Sequence, residues 1–103
     1  MKVAVTGASG HIGSCLVQEL KKRGAAIRVL VHNFRSDLDK LDVEVIQGNL
    51  LEPESLITFC KGADVVFHLA AQIAIENRFS GVVYETNVTG TRNMLEAAIH
   101  EGV

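Results

Sequence analysis

At 103 residues the chain has the length of one domain with a buried core, and 48% apolar with 21% charged residues is the balance of a globular protein rather than a disordered one. A net charge of −2 supplies no basic field for nucleic acid. Two cysteines without CxxC or Cys/His spacing exclude a zinc site from the sequence pattern and read instead as buried free thiols, and no apolar run is long enough for a membrane span or a signal core. The expected compartment is the cytoplasm, with no metal, no nucleic acid and no membrane among the partners.

The elements alternate. Val3 to Val5 is a short β-branched run that reads as the first strand. Ile12, Cys15, Leu16 and Leu20 then recur at helical spacing, and Gly24 marks the end of that helix. Ile27 to Val31 reads as the second strand, and the polar stretch Asn33 to Leu41 as a connection with one possible helical turn. Val43 to Ile46 reads as the third strand. Pro53 suits a first helical position, with Leu56, Phe59 and Cys60 as the apolar stripe of a helix ending near Gly62. Asp64 to Leu69 reads as the fourth strand and 70–80 as a loop. A last helix is expected from about Gly81–Tyr84 to Glu101, with Val88, Thr91, Leu95 and Ala98 on its buried face.

Brief, mostly apolar strands separated by helical periods imply an α/β fold with a parallel sheet covered by helices on both faces. Right-handed crossovers then leave 3-2-1-4 as the expected strand order, which is a Rossmann-type half occupying residues 1–103.

The segment carrying most chemistry is Thr6-Gly7-Ala8-Ser9-Gly10-His11-Ile12-Gly13, between the first strand and the first helix. Gly7 permits a tight turn, Gly10 leaves room for a pyrophosphate against the backbone, and Gly13 allows close helix packing. The helix N-terminus offers free N–H groups and a partial positive charge to phosphate. Glycine turns also occur without ligands; here a strand before and a helix after favour nucleotide binding.

The spacing is G-x-x-G-x-x-G, and Thr6 to Gly13 resembles the TGxxGxxG of the extended short-chain dehydrogenase/reductase superfamily, also called the NAD-dependent epimerase/dehydratase family. Gly48-Asn49-Leu50 resembles that family's G-D-L, Phe67-His68-Leu69-Ala70-Ala71 its H-L-A-A, and Asn87-Val88-Thr89-Gly90-Thr91-Arg92-Asn93 its N-V-x-G-T-x-N. The resemblance runs the length of the chain. Within the family the pattern is most similar to dihydroflavonol-reductase-like proteins and sugar-nucleotide epimerases, through Ala71 to Ile75 and Asn93 to Ala98.

The resemblance implies a dinucleotide cofactor held by Gly7, Ser9, Gly10, His11, Ile12 and Gly13, with Asn49 and Leu50 flanking the adenine and Leu69, Ala70 and Ala71 at the nicotinamide-side ribose. Asn49 stands where the family usually has Asp. About twenty residues past the last glycine, where an acid would bond the ribose of NAD, this sequence has His32 and Asn33 with Arg35 behind. Arg35 can pair with a 2′-phosphate, which favours NADP over NAD; the alternative is that Arg35 is a solvated cation and Asn33 the partner of NAD's ribose. His68 reads as a packed strand histidine, and His100 as a solvated helix end.

The family's catalytic Tyr-x-x-x-Lys pair has no counterpart here, since the one tyrosine, Tyr84, is followed four residues on by Val88. No catalytic residue is assigned; Asn87 matches a family asparagine that helps position the active site, with helix packing as the plainer alternative. The resemblance implies that the Tyr/Lys segment and the substrate domain lie beyond residue 103.

Three readings stay open: part of an NAD(P)-dependent epimerase, dehydratase or reductase acting on a nucleotide sugar or carbonyl compound; a non-catalytic, redox-sensing dinucleotide-binding module; or an isolated folding or assembly fragment. An open edge on the fourth strand is expected to favour pairing with a second copy.

Overall fold

The computed structural model describes residues 1–32, 42–70 and 85–103. Four strands, β1 (Lys2–Thr6), β2 (Ala26–Val31), β3 (Glu44–Gln47) and β4 (Val65–His68), form one parallel sheet in the order β3-β2-β1-β4. Helix α1 (His11–Lys22) links β1 to β2, α2 (Pro53–Cys60) links β3 to β4, and a π-helical turn over Glu85–Thr89 runs into α3 (Gly90–His100). The 3-2-1-4 order expected from the alternation is the order found. The connection at 33–41, the loop at 71–80 and the expected start of the last helix lie outside the described residues.

Strand alternation divides the interior into two layers. Val3, Val5, Ile27, Val29 and Val31 turn to one face and pack with Val17, Leu16 and Leu20 of α1. Ala4, Leu30, Ile46 and Val66 turn to the other, where Leu56, Phe59 and Cys60 of α2 meet Met94 and Ala97 of α3. Both faces of the central strands are therefore dry, which is why they read as continuous apolar runs.

The helices rotate differently from expectation. On α1 the buried positions are Gly13 and Val17, while Ile12 is 72% exposed and Cys15 is exposed. Closeness of the helix start to the glycine turn sets that rotation: Gly13 must face inward, which swings Ile12 outward. The expectation of two buried thiols thus holds for Cys60 alone. On α3 the inward residues are Gly90, Met94 and Ala97, and Leu95 is 60% exposed, so the expected stripe through Val88, Thr91, Leu95 and Ala98 is about one residue out of phase. Gly90 against Leu50 and Met94 against Cys60 fix that face.

Helix ends follow their sequence signals. Gly24, at φ +81°, closes α1 with Ala25 N–H donating to the Leu20 carbonyl and Gly24 N–H to that of Lys21, the paired bonds of a Schellman cap. Pro53 occupies the first turn of α2 as expected. At the other end of α2 the carbonyls of Phe59 and Lys61 accept hydrogen bonds from Arg28 Nη1, at 2.8 and 2.6 Å, although Arg28 lies within β2. Its Nε donates to Glu44 at 3.0 Å, and Lys2 pairs with the same carboxylate at 3.0 Å. Arg28, 7% exposed, thus has both its Nε and its Nη1 groups engaged. No described helix is long and apolar enough to cross a membrane.

Two outcomes follow from this packing. Phe59→Ala, which removes a fully buried ring from the second layer, is expected to lower unfolding free energy by about 3–5 kcal/mol in urea titration, and Ile99→Ala, at a residue 78% exposed, to change it by less than about 0.5 kcal/mol. Lys2, then Arg28, hold the Glu44 carboxyl below its ordinary value. The folded chain then binds fewer protons there than the unfolded one, so Glu44 stabilises above the ordinary carboxylate pKa and that contribution is lost as pH falls through the depressed value. The urea midpoints of wild type and Glu44→Gln should differ at neutral pH and converge in acid.

Candidate dinucleotide site

The carboxyl ends of the strands open onto a cleft of about 300 Å³ lined by Thr6, Leu30, His32, Gly48, Asn49, Leu50, Leu51, Ala70 and Thr86. It lies where the chain order reverses, between the β1-α1-β2 arm and the arm that crosses back through α2 to β4. In open α/β sheets this reversal leaves a crevice unfilled by any crossover.

Its wall on one side is the glycine turn. Gly7, at φ +72°, is in the left-handed region, and a Cβ there would stand 2.7 Å from the Leu69 carbonyl carbon and 2.8 Å from the Ala70 nitrogen. A Cβ on Gly13 would collide with the Gly7 carbonyl oxygen and lie 2.7 Å from its carbon. The close helix packing expected at Gly13 is therefore an approach of helix to turn. Gly10 differs, since its Cβ would meet one atom, the Gly7 oxygen at 3.3 Å, and its φ of −75° is ordinary. The protein's own packing barely requires a glycine there, and the free space faces outward.

Gly10 is the N-cap of α1 and provides no side-chain cap, and the first turn contains no acid. The N–H groups of that turn remain available to an anion, with the partial positive end of twelve aligned peptides behind them. Ser9, Gly10, His11 and Ile12 are exposed around it, and Ser14 Oγ turns back to the His11 carbonyl at 3.0 Å rather than capping.

Across the cleft, Asn49 is held on three sides. Its N–H donates to Ser55 Oγ at 3.1 Å, and its Oδ1 accepts the Leu51 N–H at 2.9 Å. Only an oxygen can accept that bond, so the amide orientation is fixed and Nδ2 turns to the exposed His32, 3.4 Å from Nε2. Leu50 is buried, and Asn93 Nδ2 donates to its carbonyl at 2.9 Å, anchoring the 49–51 turn to α3. Asn93 thus has a structural place beneath the site.

The structure brings Gly7, Gly13, His32, Asn49, Leu50, Leu69 and Ala70 to one end of the sheet, with Ser9, Gly10, His11 and Ile12 at the adjoining helix start. Asn33, Arg35, Ala71 and Tyr84 lie outside the described residues. Asn87 sits in the π-helical turn, where its carbonyl accepts the Thr91 hydroxyl at 2.7 Å. His100 is at the exposed end of α3, 2.7 Å from Glu101.

Sequence reading took His68 as a packed strand histidine and gave no site role to Thr6 or Thr91; the three hydrogen-bond in a chain below the cleft. A polar residue closing each of two adjacent apolar strands was the available signal. Thr6 is fully buried, and Thr6 and His68 are register partners.

A parallel β3-β2-β1-β4 sheet with an uncapped helix start at its switch point defines a Rossmann-type nucleotide-binding half. The chain matches the NAD dependent epimerase/dehydratase family over residues 3–103 and belongs to it. Among curated relatives, sterol demethylase protein B of Methylococcus capsulatus is 35% identical over all of this chain and 32% of its own length. A putative dihydroflavonol 4-reductase of Synechocystis is 34% identical over 96% of the chain and 29% of its own length. Among solved structures, a short-chain dehydrogenase/reductase superfamily protein from Agrobacterium tumefaciens with bound NAD superposes at a TM-score of 0.85 and 27% identity, over the whole chain and 30% of that protein. The Thermus thermophilus UDP-glucose 4-epimerase complex with NAD does so at 0.83 and 30%, over the whole chain and 35% of that protein. The chain spans about a third of the length of the curated relatives it matches.

The three glycines should separate in thermal unfolding. Gly7→Ala and Gly13→Ala each add a Cβ against fixed backbone and should cost well over about 1 kcal/mol, whereas Gly10→Ala should cost less than about 1 kcal/mol.

Proposed function

We propose that these residues form the cofactor-holding portion of an NAD(P)-dependent epimerase, dehydratase or reductase acting on a nucleotide sugar or carbonyl substrate, with NADP(H) favoured over NAD(H). The observation that carries the reading is the start of α1: uncapped, free of acid, reached from β1 by a turn that needs glycine at Gly7, and held against that turn where only glycine fits at Gly13. The space left at Gly10 fits a pyrophosphate.

In this proposal the first-turn N–H groups of α1 bind the phosphates, and Leu50 and Leu30 form the apolar side of the base site. Asn49 presents an Nδ2 proton to the base, while Leu69, Ala70 and Ala71 place small or backbone groups beside the second ribose. When bound, the cofactor supplies hydride transfer. The preference for NADP rests on Arg35 and on the lack of a carboxylate at His32 and Asn33. The proton-exchanging Tyr-x-x-x-Lys pair is not among these residues, so their part in the reaction is to bind and orient. Two of the relatives carry reductase or demethylase names and one structural neighbour is an epimerase, a spread that supports the class of chemistry and no single substrate.

Calorimetric titration with NADPH and NADH tests this. NADPH should bind more tightly, and Arg35→Ala should weaken NADPH by about tenfold or more while leaving NADH unchanged, as expected for one charge-assisted bond. A cooperatively folded chain that binds neither nucleotide would remove the reading, and an NADH preference unaffected by Arg35→Ala would remove its NADP element.

A further inference from the structure

Below the cleft a chain of hydrogen bonds runs from β1 to α3, and counting donors fixes the direction of each. Thr6 Oγ1 lies 3.1 Å from the backbone nitrogens of both Leu69 and Ala70. The Leu69 N–H is shared with the Thr6 carbonyl at 3.3 Å, and with both N–H groups aimed at the hydroxyl its single proton is directed at its third neighbour, His68 Nδ1, at 2.8 Å. Nδ1 is then an acceptor, and the neutral ring carries its proton on Nε2. That nitrogen is 3.3 Å from Thr91 Oγ1, which accepts from it and donates its own proton to the Asn87 carbonyl at 2.7 Å. The short Thr91–Asn87 bond sets the direction of the chain, since a carbonyl only accepts and the Thr91 oxygen is left to receive the Nε2 proton.

The chain joins the parts the cleft is made of. Thr6 precedes Gly7, the turn residue that touches the Leu69–Ala70 backbone, and Thr91 lies one residue into α3, the helix that also holds the 49–51 turn through Asn93. We propose that His68, held as the neutral Nε2–H tautomer, is a positioning residue of the nucleotide cleft: through Thr6 it locks the Gly7 turn to the Leu69–Ala70 edge, and through Thr91 it ties both to α3. An imidazolium would place a further N–H against the Thr6 hydroxyl, whose other two neighbours are already N–H donors. Burial lowers the pKa of His68 in the same sense, and no charged group of the described residues contributes to that shift. The groups facing the ring are uncharged, the Thr6 hydroxyl from β1 and the Thr91 hydroxyl from α3.

The consequence for affinity rests on the nucleotide reading of the cleft; the tautomer and the coupling do not. Long-range proton–nitrogen NMR of the histidines in the nucleotide-free chain should show His68 as Nε2–H at neutral pH. On acidification the amides of Gly7, Leu69 and Ala70 should move with the His68 midpoint, below that of an ordinary imidazole. Thr91→Val, which removes the acceptor of Nε2–H, should change the His68 midpoint and weaken nucleotide binding about tenfold, while Thr91→Ser should restore both. A role in stability alone would let affinity follow melting temperature and leave the amide titrations independent of His68. An Nδ1–H tautomer, amides that ignore the His68 titration, or a Thr91→Val chain with wild-type affinity each overturns the proposal. A wild-type chain that binds no nucleotide but shows the tautomer and the shared midpoint would fail the cofactor reading and keep the coupling.

Discussion

Among the described residues, the tightest constraint is between pieces of backbone. Where β1 ends, Gly7 passes the Leu69–Ala70 peptide at a distance that has no room for a Cβ, and Gly13 passes Gly7 in the same way. These two approaches bring the helix start down onto the strand ends. The uncapped first turn of α1 therefore points over the sheet's carboxyl edge instead of standing clear of it, and Thr6 and His68 become neighbours at hydrogen-bond distance. A larger side chain at either glycine would push the start of α1 off the strand ends.

Packing supports that arrangement from both sides without entering it. The layer built on Val17, Val3 and Val29 seats α1, and the layer built on Phe59, Leu56 and Met94 seats α2 and α3. Where the second layer reaches the cleft it does so through Leu50, which Gly90 allows to approach α3 closely. Burying these side chains gives a rigid floor. The polar groups above it are few and individually satisfied; no buried side-chain nitrogen or oxygen among the described residues lacks a partner.

Strand positions, their order and the glycine turn were legible because each has a local cause: β-branched runs, short crossovers of one hand, and residues chosen for backbone space. Helix faces were less legible. Ile12 and Leu95 satisfy an apolar period, yet both point outward, because the rotations of α1 and α3 are set by single close contacts at Gly13 and Gly90 that no periodicity records. The same holds for the Thr6–His68–Thr91 chain, whose members are 62 and 23 residues apart and meet only through sheet register and helix docking. Asn49 was identified by position, but which of its amide atoms faces the cleft depends on the Leu51 N–H, a contact between backbone and side chain that sequence leaves open.

Arg28 gives the two ends of the sheet different electrostatic characters. At the foot, a guanidinium, an ammonium and a carboxylate meet around Glu44 and the end of α2. At the top, the described lining of the cleft contains no carboxylate, and its network is made of hydroxyls, amides and a neutral ring. Dissolved salt screens the first kind of interaction and scarcely touches the second. Ionic strength therefore weakens the exposed Lys2–Glu44 pair at the base of the fold more than the hydrogen bonds at its mouth. Any salt sensitivity of anion capture at the mouth then belongs to the ligand's own charge and the helix dipole, not to rearrangement of the site.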